Sequence, residues 1–127
     1  VINETEQSIE AQMSDTHELE TTLEDLREIV ARKNAAIKLE SNREYKKLIL
    51  DGLFKEEASR LVAISAEPSM AREADLIMES IRSISHFQQY MRSVIQMGTI
   101  AENNLAEHME MLEEVRAEEA ANEDEAA

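Results

Sequence analysis

Residues 70–97 read MAREADLIMESIRSISHFQQYMRSVIQM. Within that run Met70, Ala74, Ile77, Ile81, Ile84, Gln88, Met91 and Ile95 recur at steps of four and three without a slip. Such spacing returns each side chain to one side of an α-helix and marks a coiled-coil-like seam. Phe87 and Val94 add a second row beside the first, which widens the stripe to that of a bundle helix. A helix over about 69–97 is expected, with Pro68 in EPSM making the turn before it.

The same period continues on both sides. Gly98 has the position of a helix-closing glycine, and TIAE at 99–102 has the spacing of a capping box. Together they predict a helix-turn-helix corner at Gly98. A last helix over about 100–118 then sets Ala101, Leu105, His108, Leu112 and Val115 on one seam. Toward the N-terminus, Leu19, Leu23, Leu26, Val30, Lys33 and Ile37 step by four and three again, predicting a helix over about 14–40. SNRE at 41–44 has the form of a second capping box.

Between these lies NREYKKLILDGLFKEEASRLV, residues 42–62. Tyr45, Leu48 and Ile49 share a helical face, whereas Phe54, Ala58, Leu61 and Val62 fall on the opposite one. Two geometries satisfy this flip. Gly52 in a left-handed conformation closes one helix over about 42–51 and re-aims a second over about 54–66. Alternatively, a single continuous helix is buried on both sides, with Gly52 allowing a close approach. The half-turn rotation favours the break at Gly52.

Composition agrees with an all-α fold, a helical bundle with coiled-coil-like seams. The 127 residues include only two glycines, one proline and four aromatics, but seven methionines, and no alternating strand pattern occurs. The expected organisation is a flexible acidic N-terminus (1–13), one helical domain (14–118) and an acidic tail (119–127). No cysteine is present, so disulfides and thiolate chemistry are excluded. No apolar run reaches the roughly 20 residues of a membrane span, and the first residues lack the pattern of a signal peptide. A soluble, intracellular location, rather than secretion or a membrane, is the expected one.

The net charge of −15 is uneven. Residues 1–26 hold eight acids and no base, and residues 101–127 hold ten acids against Arg116. Residues 27–60, by contrast, hold nine bases against six acids. Acidic ends repel phosphates and make nucleic acid an unlikely partner. The basic corner Arg43, Lys46, Lys47, Lys55 and Arg60 surrounds Gly52. Its best reading is pairing with acidic ends, of this chain or of a neighbouring subunit.

Enzymatic constellations are missing, so the expectation is a protein with no catalytic residues, no cofactor and no metal. His17, His86 and His108 stand apart, and none is preceded by the Glu of a Glu-x-x-His carboxylate-bundle motif. No glycine-rich phosphate loop or nucleophile elbow occurs. Lys33 and Gln88 interrupt apolar seams, either setting register or marking where a helix leaves the core. The expected interface seam comprises Leu19, Leu23, Leu26, Val30, Ile37, Ile77, Ile81, Ile84, Met91, Ile95, Leu105, Leu112 and Val115. Met91, Met97, Met109 and Met111 supply adaptable apolar surface.

Residues 42–62 together with QMGTIAENNLAEHMEMLEEVRAEEA (96–120) resemble a group of small helical proteins encoded by tailed bacteriophages. The resemblance spans about 42–120 and carries no catalytic residues with it. It implies a phage particle or an infected bacterium as the setting. The expected role is therefore non-enzymatic: a scaffold, chaperone or minor virion component that associates with itself or with a larger capsid, tail or packaging protein. The alternatives are an acidic DNA mimic that blocks a host nucleic-acid-binding protein, and a DNA-packaging recognition subunit using the basic corner.

Overall fold

The computed structural model describes residues 4–126, with only the backbone described at 8, 9 and 12–14. Among these residues the fold is all-α. Helix α1 spans Glu4–Glu40. A short α2, Arg43–Tyr45, passes directly into a π-helix, Lys46–Glu57, and then into α3, Ala58–Ser65. A 3-10 turn, Pro68–Glu73, leads into α4, Ala74–Ala126.

Helix α1 begins ten residues earlier than the seam suggests. Glu4 and Glu6 lie in its first turn, where carboxylates complement the positive end of the helix dipole. Residues 1–3 of the expected flexible N-terminus lie outside the described residues, as does Ala127 of the tail. The tail as far as Ala126 belongs to α4; its alternating Ala and Glu lack a core face but have high intrinsic helix propensity.

Both glycine expectations are corrected. Gly98 closes nothing: α4 runs through it for 53 residues, and no glycine has a positive φ among the described residues. A glycine inside a helix costs only about 1 kcal/mol relative to alanine, and good helix formers stand at Gln96 and Met97 before it and at Ala101 and Glu102 after it. Across Gly98 the seam steps Ile95, Gly98, Ala101, Leu105. Two consecutive steps of three make a stammer, which shifts the seam without breaking the helix.

Gly52 does not break its helix either. It sits inside the π-helix, and the reason lies in the spacing around it. Tyr45, Ile49, Leu53, Glu57 and Leu61 are all at least half-buried. At 3.6 residues per turn each step of four overshoots by about 40°, so four steps rotate the stripe by about 160°. Bonds from residue i to i+5 widen the turn, so side chains four to five apart share a face. The wider turn absorbs the flip that the sequence suggests. A β-carbon at Gly52 would lie 3.1 Å from the Lys47 carbonyl oxygen, a tight approach inside the π geometry.

The turn before α2 is capped by Asn42 rather than by Ser41. The Asn42 Oδ1 accepts from the Tyr45 backbone N–H at 2.9 Å, while the Ser41 hydroxyl donates back to the Ile37 carbonyl at 3.0 Å. The amide side chain thus satisfies an N-terminal donor that the helix leaves open. At the other turn Pro68 occupies the first position of its 3-10 segment, where its missing N–H costs nothing.

By packing, the chain divides into two compact units. The first is built from Val1–Ala31 and Met97–Ala127, the second from Arg32–Gln96. In the first, α1 and α4 run antiparallel. Thr16 donates to the Glu119 carboxylate, and one turn further on Arg116 meets Glu20 at 2.8 Å. Leu23, Ala101 and Leu112 are buried there, Leu23 to 2 % exposure. In the second unit Ala36, Leu61 and Ile77 are buried. There the Phe54 and Phe87 rings meet edge to face with centroids 5.2 Å apart, a favoured aromatic geometry.

Candidate functional site

The expected seam residues divide by depth. Leu23, Ile77 and Leu112 are buried, and Leu19, Leu26, Val30, Ile81, Ile84, Met91, Ile95, Leu105 and Val115 are half-buried. Ile37 is exposed. Ala36 takes its place inside, because a strict step of four from Lys33 turns slightly past the face that a step of three reaches.

Six apolar side chains are buried among the described residues, whereas twelve large ones are exposed.

The two units differ in what they expose. In the second, the large exposed apolar side chains are Ile37, Leu39, Leu48, Val62, Leu76, Met78, Phe87 and Tyr90, with Leu76 at 65 % and Tyr90 at 63 %. An open groove there is walled by Arg32, Ala35, Ala36, Leu39, Tyr90, Met91 and Val94. Eleven bases stand against nine acids in this unit, net +2. In the first unit Met97, Ile100, Met109 and Met111 are exposed. A second open groove, about 290 Å³, is lined by Leu26, Ile29, Met97, Ile100, Ala101 and Asn104. Here Arg27 and Arg116 face nineteen acids, net −17. Folding has joined the two acidic ends of the sequence into one unit.

The basic corner is exposed throughout, but it does not act as one patch. Lys55 pairs with Asp51 at 3.5 Å, and the Arg60 Nε donates to Glu57 at 2.9 Å. The guanidinium's hydrogen bond and charge hold the Glu57 carboxyl below the usual carboxylate range. Arg43, Lys46 and Lys47 complete the group on the same helical segment. Tyr45 beside them is half-buried. Burial, reinforced by the charge of Glu40, pushes its phenol above the ordinary value.

Among the described residues no three acidic or histidine side chains gather as a metal site, and no helix is long and apolar enough to cross a membrane. The His108 Nδ1 and the Tyr45 hydroxyl are buried without a hydrogen-bond partner among the described residues. Sequence patterning missed the exposed apolar row of α4. Leu76, Tyr90, Met97 and Met111 recur at multiples of seven, a signal hidden by the stronger isoleucine seam one position along. No protein-family model, curated protein or solved structure matches the chain.

Proposed function

We propose that this chain is a non-enzymatic assembly protein that works through helix–helix association, first with a second copy of itself. The observation that carries this reading is the concentration of eight exposed large apolar side chains on the nearly neutral second unit. Exposed apolar area on that scale favours burial against another surface. A net charge of +2 there offers little repulsion between two copies, and a twofold pairing is the simplest closed arrangement. The resemblance of residues 42–62 and 96–120 to small helical phage proteins supports a virion or an infected cell as the setting, with a larger capsid, tail or packaging protein as the proposed final partner.

Sedimentation equilibrium tests it. The expected result is a dimer that persists in high salt, as apolar association requires, and a shift to monomer in Leu76→Glu/Tyr90→Glu with helicity retained. A wild-type monomer at every concentration rejects the reading.

A second reading, an acidic decoy for a nucleic-acid-binding protein, is supported by the net −17 of the first unit. Eight of the nine bases of residues 27–60, which argue against a uniform negative face, belong to the other unit. Decoy binding to a DNA-binding host protein falls steeply with salt; apolar association does not.

A further inference from the structure

The first unit carries an apolar groove inside a strongly acidic unit, and that combination bears on its occupant. On α1, Asp25, Glu18 and Asp15 lie four, eleven and fourteen residues before Ile29, spacings that return to one side of a helix. On α4, Glu107, Glu114 and Glu118 lie seven, fourteen and eighteen residues beyond Ile100, and so share its side. All six carboxylates are exposed. The groove is therefore lined mainly by apolar side chains, with Met97 and Asn104 among them, and acids continue it along both arms.

A second copy of this unit is a poor occupant. It brings another net −17, and like charges brought close across an interface cost several kcal/mol. Basic side chains laid along this unit meet attraction in place of that repulsion. Met97 in the groove suits a helix laid into it, because its flexible side chain repacks around different apolar anchors.

We infer that the groove lined by Leu26, Ile29, Met97, Ile100 and Ala101 binds a basic amphipathic helix of a partner protein. One or two aliphatic anchors enter the groove, and flanking Lys or Arg side chains meet the two acidic rows. Apolar contact sets the position, and charge sets the orientation and the speed of capture. The inference deepens the assembly reading by naming the chemistry of the larger partner. It can fail without it, since dimerisation uses the second unit and capture uses the first.

The test uses the full-length chain and two synthetic peptides of one Leu/Lys composition, one with leucines at helical spacing and one scrambled. Calorimetric titration at low and at physiological salt reads affinity. The expected result is at least tenfold tighter binding of the amphipathic peptide. Ile100→Glu and the milder Ile100→Ser each lower that affinity at least tenfold at unchanged helicity, and Leu76→Glu/Tyr90→Glu leaves it intact. Equal binding of both peptides reduces the interaction to charge alone and overturns the groove. So does a self-association constant that drops in Ile100→Ser, because a second copy is then the occupant.

Discussion

The two units bury equal numbers of apolar side chains but divide their surfaces in opposite ways. Leu23, Ala101 and Leu112 anchor one; Ala36, Leu61 and Ile77 anchor the other. The unit of net −17 exposes four large apolar side chains, and the unit of net +2 exposes eight. In one small chain, the larger share of exposed apolar surface thus coincides with near-neutrality, and the smaller share with strong negative charge. On the proposed reading this segregation selects partners, with self-association assigned to the neutral unit and a basic partner to the acidic one.

Leu23 offers the strongest way to break the contrast. It is the largest fully buried side chain, so Leu23→Ala is expected to cost about 2–4 kcal/mol through lost burial and a residual cavity. Hydrogen exchange should then rise first in the arms of the first unit. A loss below about 1 kcal/mol in chemical denaturation would mean that Leu23 is not part of a packed core.

Phe54→Leu probes the second unit. Losing the edge-to-face contact with Phe87 is expected to cost about 1–2 kcal/mol, with faster exchange around the π-helix. Salt sharpens the comparison further. Screening should stabilise the acidic unit by about 1 kcal/mol as the Debye length shortens, without helping the near-neutral one. Equal salt effects on amide protection in both would remove charge as the distinction between them. The smallest effect is expected at Gly52. The roughly 1 kcal/mol that alanine gains in an ordinary helix is opposed by the tight approach to the Lys47 carbonyl. A net change within about 0.5 kcal/mol is therefore expected for Gly52→Ala. A full gain argues for ordinary α geometry there.

Much of the fold was legible because local periodicity and burial agree. The isoleucines of 77–95 and the leucines of 19–26 lie on the inner side of their helices, as their spacing implies. Pro68 marks its turn because its missing donor suits only a helix start. The glycines misled. A left-handed cap and a mid-helix glycine leave the same mark on a sequence, and only the continuity of packing on both sides separates them. Gly98 and Gly52 both fall in helices that continuous neighbours sustain. SNRE points to Ser41 as the cap because Ser41 has a suitable side chain and Glu44 the right spacing, whereas Asn42 makes the capping bond. The candidate surfaces were less legible still. The union of residues 1–31 with 97–127 is a long-range event, and the concentration of negative charge follows from it rather than from any one segment.

The twelve π-helical residues at 46–57 also bear on which changes in chain length the molecule can accept. Removing one residue from α1 or α4 turns everything beyond the cut by about 100° and misplaces a whole face. Within the π segment the chain already carries more residues per turn than an α-helix needs. A deletion there can be taken up by tightening toward α geometry, so this is the stretch where a helix of this protein has slack to give.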